Sequence, residues 1–196
     1  MSSYNIVAEN TKSTVVSEYT PSAKIERSYQ SEATLEADLI QTLKDNGYEH
    51  LKITANDDLV ANLRVQLEKL NDHKFSDQEW ARIFDQYLAN SNESIEQKTF
   101  KIHENYILDF KKDDGKTKNI KIIDKENIHN NSLQVINQYE TEGGNRKNRY
   151  DVTILVNGLP LVHVELKRRG VHIREAFNQI KRYQRDSFWA DSGLFE

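Results

Sequence analysis

The chain has 196 residues, a formal charge of −4 and no cysteine. That length suits one ordinary domain with a real core, or one domain and part of another, and the missing thiol excludes disulfides, thiolate zinc sites and cysteine nucleophiles. "MSSYNIVAENTKSTVVSEYT" lacks the basic and apolar regions of a signal peptide, and no segment approaches the roughly 20 apolar residues of a membrane span. A cytoplasmic protein with no membrane association is expected.

Residues 1–30 are polar without sustained period and read as an extended N-terminal arm; residues 31–196 read as the main domain. "SEATLEADLIQTLKDNGY" is an amphipathic helix with Leu35, Leu39, Ile40 and Leu43 at helical spacing, capped by Ser31 and ended by Asn46-Gly47. "NDDLVANLRVQLEKLN" is a second helix, entered at Asn56. "SDQEWARIFDQYLAN" opens with a Ser76–Glu79 capping-box pattern and turns Trp80, Ile83, Phe84 and Tyr87 inward.

The texture changes near Gln97. "NYILDF", "NIKIID", "SLQVINQY", "YDVTILV" and "LVHVELK" are short β-rich runs, separated by Asp113-Asp114-Gly115, Asn130-Asn131 and Gly143-Gly144. A helix follows in "IREAFNQIKRYQRDSF", with Ile173, Phe177 and Ile180 expected inward. Helices, then a meander of strands, then a helix make an α/β or α+β core. "DSGLFE" breaks off on what looks like a new apolar element, so a fragment of a larger subunit is expected.

Charge is uneven along the chain. Residues 146–185 hold ten Lys and Arg against three acids, so this stretch carries +7 and the remainder −11. A basic surface on an acidic body suits a phosphate-binding face.

In "RYDVTILVNGLPLVHVELKRRG" charges sit within apolar strand sequence. Glu165 and Lys167 are two apart and share a face if extended. A two-residue Asn157-Gly158 turn would pair Asp151 with Val164, on the opposite face. An odd-length loop, or an equivalent bulge, sorts the hairpin cleanly. Val152, Ile154, Val156, Val162, Val164 and Leu166 then line one face; Asp151, Thr153, Leu155, His163, Glu165 and Lys167 line the other, which is expected to form a single polar surface. Two carboxylates suit a hard dication such as Mg²⁺, which retains waters and takes a phosphate oxygen. A neighbouring lysine can hold or activate water and offset phosphate charge. A lone strand histidine such as His163 is more often a neighbour than a ligand.

Asp151 with Glu165-Leu166-Lys167 resembles the PD-(D/E)xK nuclease motif, with Tyr150 where that family often has proline, and Gln179 to Tyr183 resembles a QxxxY motif. With the wording "DVTILVNGLPLVHVELKRRG…AFNQIKRYQRDSF" and the helix from Ser31, the chain over roughly residues 30–195 is similar to the N-terminal nuclease domain of type I restriction enzyme R subunits. The resemblance implies a restriction-endonuclease-like core with a central mixed sheet flanked by helices. It implies Mg²⁺-dependent cleavage of double-stranded DNA with little sequence preference. Asp151, Glu165 and Lys167 would be catalytic, with Asp151 and Glu165 on the metal. Glu32 or Glu36 could assist from the first helix, and Gln179 and Tyr183 would support the site. Arg168, Arg169, Arg174, Lys181, Arg182 and Arg185 become candidate DNA contacts. It also implies motor domains and modification and specificity subunits as partners. ATP would act only through the motors, since this sequence has no GxxxxGK[ST] loop. A catalytically silent DNA- or partner-docking module of the same fold and a RecB-like repair nuclease are the alternatives.

Overall fold

The computed structural model describes residues 5–9, 15–18, 30–141, 148–168 and 170–186. Two short strands, β1 (Asn5–Glu9) and β2 (Val15–Glu18), pair antiparallel in the segment read as an arm. Helix α1 (Glu32–Asp45) begins where Ser31 accepts the Thr34 amide hydrogen bond and ends at Asn46-Gly47, with Gly47 at φ +88°. The two-residue strand β3 (Glu49–His50) leads into α2 (Asn56–Asn71). Helix α3 (Asp77–Ala81) carries the complete Ser76/Glu79 capping box and runs on as a π-helical segment, Arg82–Leu88. Its wider hydrogen-bonding pattern makes neighbours of residues five apart, and Ile83 and Leu88 are both buried.

Helix α4 (Ile95–Glu104) corrects the expectation of β texture from Gln97 onward; a second capping box, Ser94 with Gln97, nucleates it. Strands β4 (Ile107–Lys111) and β5 (Thr117–Lys121) follow, then β6 (Leu133–Thr141), β7 (Asn148–Val156), β8 (Leu159–Val164) and helix α5 (Ile173–Asp186). The five runs do not form one meander. β4 and β5 make a separate hairpin, while the main sheet has the order β3-β6-β7-β8, with β3 parallel to β6 and the other pairs antiparallel. β3 was not anticipated, because two residues carry too short an alternation to recognise. It is what makes the sheet mixed.

Helices cover both faces of that sheet. Leu39, Ile40 and Leu43 of α1 pack with Val135, Val152, Val164 and Leu166 on one face. Leu59 of α2 and Tyr183 of α5 pack with Ile136, Tyr139, Tyr150 and Leu155 on the other. α2 also turns Leu63 and Leu67 toward Phe75, Trp80, Ile83, Phe110, Ile120 and Ile122, joining the β4–β5 hairpin to the sheet. Leu59, Leu63 and Leu67 are fully buried, and each contributes roughly 1.5–3 kcal/mol by leaving water.

The β7–β8 turn is pressed against α2. Val156 pairs with Leu159, so the loop is the two-residue Asn157-Gly158, with φ +52° and +83°. Asn157 is buried, and its side chain bonds the Ser132 amide, the Ile122 carbonyl and Asn131 Oδ1 at 2.8–3.0 Å. A Cβ on Gly158 would lie 2.6 Å from Leu63 Cα, whereas one on Gly115, also at φ +83°, would meet nothing within 4 Å. Gly115→Ala should therefore lose only the left-handed backbone penalty, about 1–2 kcal/mol. Gly158→Ala should lose that and about 1–3 kcal/mol more for overpacking. Urea denaturation of the two variants measures the difference, and equal losses would contradict the close approach.

Candidate active site

The even-length turn alone would have put Asp151 and Glu165 on opposite faces. A bulge in β8 reverses this. The ladder shifts between Leu155↔Pro160 and Ile154↔Val162, leaving Leu161 as the extra residue, and continues as Thr153↔His163 and Val152↔Val164. Asp151 and Glu165 come next after the last pair, Val152↔Val164. As far as the Val152↔Val164 pair, the register expected from an odd-length loop is thus produced by the equivalent bulge, and Pro160, which has no amide hydrogen to offer, sits at it.

The ladder stops at Val164, so Glu165 to Lys167 extend beyond the paired strand. The Asp151 carboxylate takes over there: its Oδ2 accepts the Leu166 amide at 2.9 Å. Lys167 Nζ donates to Glu165 Oε1 at 2.6 Å. Glu32, first residue of α1, accepts the Arg168 amide at 3.3 Å, and its charge acts on Lys167. Glu36, one turn on, is instead engaged by Asn137 and Gln138 of β6. Of the two first-helix glutamates, Glu32 is the one beside the triplet.

From the other side, Tyr183 closes the site. Its hydroxyl has two acceptors in reach, the Arg149 carbonyl at 2.8 Å and Glu165 Oε2 at 3.3 Å, and it accepts from Gln179 Nε2 at 2.5 Å. The Tyr183 ring meets Tyr150 edge-on at 4.8 Å, and Tyr150 stacks on His163 at 4.5 Å. These contacts fix how α5 lies on the sheet. Phe177 and Tyr183 are buried, while Ile173 and Ile180, expected inward, are 46% and 39% exposed. The hydroxyl's tie to Arg149 and Glu165 turns the Gln179–Tyr183 side of the helix inward, while Ile173 and Ile180, on the helix beside the buried Phe177, stay exposed.

The face read as one polar surface is polar only at its end. Thr153 and Leu155 are fully buried, and His163, hydrogen-bonded to Thr153 Oγ1 at 2.9 Å, is sequestered enough that burial pushes its pKa down to about 4. It is neutral at pH 7 and serves as packing between Thr153 and Tyr150.

The electrostatics of the open end are those of a site short of positive charge. Burial raises the Glu165 pKa above the usual range; the Lys167 ion pair lowers it, and the Asp151 charge raises it again. Lys167 is affected in the opposite sense. Burial works against its charge, but Glu165, Glu32 and Asp151 outweigh that and its pKa is raised. Among the described residues no group of three His, Cys, Asp or Glu is arranged to hold a metal. The pair Asp151 and Glu165 still suits Mg²⁺, which takes one or two carboxylates and completes its shell with waters and substrate oxygens. A carboxyl resisting ionisation beside another carboxylate is one that an added dication relieves.

The basic candidates divide. Arg168, Arg174, Lys181 and Arg182 are exposed, with Lys181 Nζ 4.6 Å from the Phe177 ring centroid and Arg182 5.5 Å from that of Tyr183. Arg169 and the Arg185 side chain lie outside the described residues, as do Gly143, Gly144, Arg146 and Lys147. The pair Asn137-Gln138, bound to Glu36, went unnoticed in the sequence. Its signal was two amides in succession in "SLQVINQY", where alternation calls for one apolar residue.

The fold and this end of the hairpin define a mixed-sheet α/β domain with a paired-carboxylate and lysine site. Residues 29–196 match the family described as type I restriction enzyme R protein N terminus, and the chain belongs to that family. It is 47% identical over 191 residues to the type I restriction enzyme EcoprrI endonuclease subunit of Escherichia coli, covering 97% of this chain and 61% of the relative. It is 38% identical over 172 residues to the type I restriction enzyme SauMSSORF170P endonuclease subunit of Staphylococcus aureus (strain MSSA476), covering 85% of this chain and 18% of the relative. The chain thus spans about three fifths of the first and under a fifth of the second. No helix among the described residues is long and apolar enough to cross a membrane.

The raised Glu165 pKa has a defined effect on stability. The folded state holds this proton more tightly than the unfolded chain, so stability falls as pH rises from the ordinary glutamic acid value through the raised one. Glu165→Gln should lack that component and gain stability relative to wild type as the pH rises above the ordinary glutamic acid value. Thermal melts of both proteins across that range measure it, and comparing the two cancels the opposing His163 contribution. A constant difference would mean that Glu165 ionises as easily folded as unfolded.

Proposed function

We propose that this chain is the DNA-cleaving domain of a type I restriction endonuclease subunit and hydrolyses phosphodiester bonds with Mg²⁺ at a PD-(D/E)xK site. The observation that carries the reading is the meeting of Asp151, Glu165 and Lys167 at one end of the β7–β8 hairpin, below a bulge that sets the register of the strands.

Asp151 and Glu165 would hold the ion. The Leu166 amide, bonded to Asp151 Oδ2, keeps that carboxylate turned to the site. Tyr183, itself positioned by Gln179, steadies the other carboxylate through Glu165 Oε2. Bound Mg²⁺ would neutralise charge on the scissile phosphate and lower the pKa of a coordinated water. Lys167, whose charge the neighbouring acids favour, would donate to the phosphate or the attacking water. Glu32 lies near enough to support Lys167.

Arg174, Lys181 and Arg182 on α5 would contact phosphates of double-stranded DNA, which positions the duplex without reading it. On this reading target recognition belongs to modification and specificity subunits, and ATP acts through motor regions outside this chain.

Asp151→Asn, Glu165→Gln and Lys167→Ala should each reduce Mg²⁺-dependent nicking of supercoiled plasmid by at least about 100-fold, with melting temperatures within a few degrees of wild type because no core cavity forms. DNA binding without nicking by the wild type, with Mg²⁺ present, would favour a docking module instead.

A second measurement addresses the duplex path. Each neutralised phosphate contributes roughly −0.9 to the slope of log K against log salt. Lys181→Gln/Arg182→Gln should flatten that slope by about two units and weaken unrelated DNA sequences alike. An unchanged slope would mean this side of α5 faces something other than DNA.

A further inference from the structure

Side chains of a regular strand alternate, so residues two apart share a face. β7 breaks this at Asp151. Val152 packs with Ile40 of α1, while Tyr150 packs with Leu59, Leu155 and Tyr183 on the opposite face, so residues 150 and 153 lie on the same side. β6 breaks in the same place. Val135 packs on the α1 face and Asn137 bonds Glu36 of α1, yet Tyr139 joins Tyr150 on the far face. The residue between Asn137 and Tyr139 is Gln138, at φ +53°. The ladder pairs Asn137 with Val152 and Tyr139 with Tyr150, and passes over the level between them. That level holds Gln138 and Asp151.

Gln138 is thus a non-glycine residue in the left-handed region, a conformation that persists only where surrounding contacts enforce it. The enforcing contact is on α1. Glu36 Oε2 accepts from Gln138 Nε2 at 2.5 Å and Glu36 Oε1 accepts from Asn137 Nδ2 at 2.6 Å, so one carboxylate holds two successive β6 side chains. Asn137 Oδ1 is bonded in turn to His50 Nε2 at 2.9 Å. From this we infer that Glu36 is a positioning residue for Asp151: by locking the left-handed turn of β6 at Gln138, it imposes the matching break in β7 that brings the Asp151 carboxylate to the end of the sheet. The inference rests on the reading of Asp151 as a metal-binding carboxylate, and it assigns Glu36 a role without contact to ion or substrate.

The Leu166 amide reports on Asp151 directly, because Asp151 Oδ2 is its acceptor. In Glu36→Ala, hydrogen exchange at Leu166 should accelerate by about tenfold or more, while the amides of the Val152–Val156 and Leu159–Val164 ladder keep their protection. Nicking should fall about 10- to 100-fold, as expected for a misplaced catalytic group. Glu36→Gln, which keeps an oxygen for one of the two donors, should fall between. The diagnostic variant is Glu36→Ala/Gln138→Gly. Glycine adopts φ +53° without enforcement, so the double change should restore both Leu166 protection and nicking toward wild type. Wild-type protection at Leu166 in Glu36→Ala overturns the inference. So does loss of protection throughout the sheet that Gln138→Gly fails to restore, since that is the behaviour of a merely structural residue. A wild type that never nicks would refute the nuclease reading, and the exchange data would still decide whether Glu36 positions Asp151.

Discussion

One extra residue in β8 governs the rest of the site. A two-residue turn forces an even register, and in that register the acids of the two strands point to opposite faces. Leu161, inserted between Pro160 and Val162, shifts the lower part of the ladder by one position. The turn cannot yield instead. Asn157 is fixed by three hydrogen bonds, and Gly158 lies against the backbone of α2. The turn anchors the hairpin to the body of the domain, and the bulge reconciles that anchor with the placement of the acids.

Around the acids the charges are arranged unequally. Glu165 is buried and resists ionisation, Lys167 is held charged, and Glu32 and Asp151 add negative potential. An assembly optimised only for stability would pair these groups more fully, because an uncompensated buried carboxylate is costly. The hydrogen bonds of Tyr183, Gln179 and Leu166 hold the geometry of these groups at the end of the hairpin.

Much of this was legible in the sequence where physics is local. The helix caps at Ser31 and Ser76, the α2 boundaries and the aliphatic face of the hairpin follow from spacing and side-chain chemistry. The triplet Asp151, Glu165 and Lys167 was visible because charges interrupt an apolar pattern. What escaped depends on distant partners. β3 is a strand only because β6 lies beside it. The seating of α5 depends on Tyr183 reaching Arg149 and Glu165, and Ile173 and Ile180, inward by periodicity, are exposed beside the buried Phe177. The left-handed Gln138 exists because Glu36, 102 positions earlier, accepts its amide. The Ser94/Gln97 capping box of α4 is a local signal, masked by the β-rich sequence that follows it.

The buried turn also bears on how this protein ages. An Asn-Gly pair is the dipeptide most prone to spontaneous deamidation, since the glycine nitrogen easily reaches the side-chain carbonyl carbon and closes a succinimide ring. That closure needs the Asn side chain to swing toward its own backbone. Asn157 is held by Ser132, Ile122 and Asn131 and is sealed from water, so in the folded chain the ring cannot close. An unfolded chain loses that restraint. Reopening of the ring would leave aspartate or isoaspartate where an amide must donate two hydrogen bonds, and an isoaspartate would lengthen the backbone inside the tightest turn of the hairpin. Each excursion to the unfolded state therefore exposes the domain to a covalent change that impairs refolding, and the same contacts that set the register also keep residue 157 chemically intact.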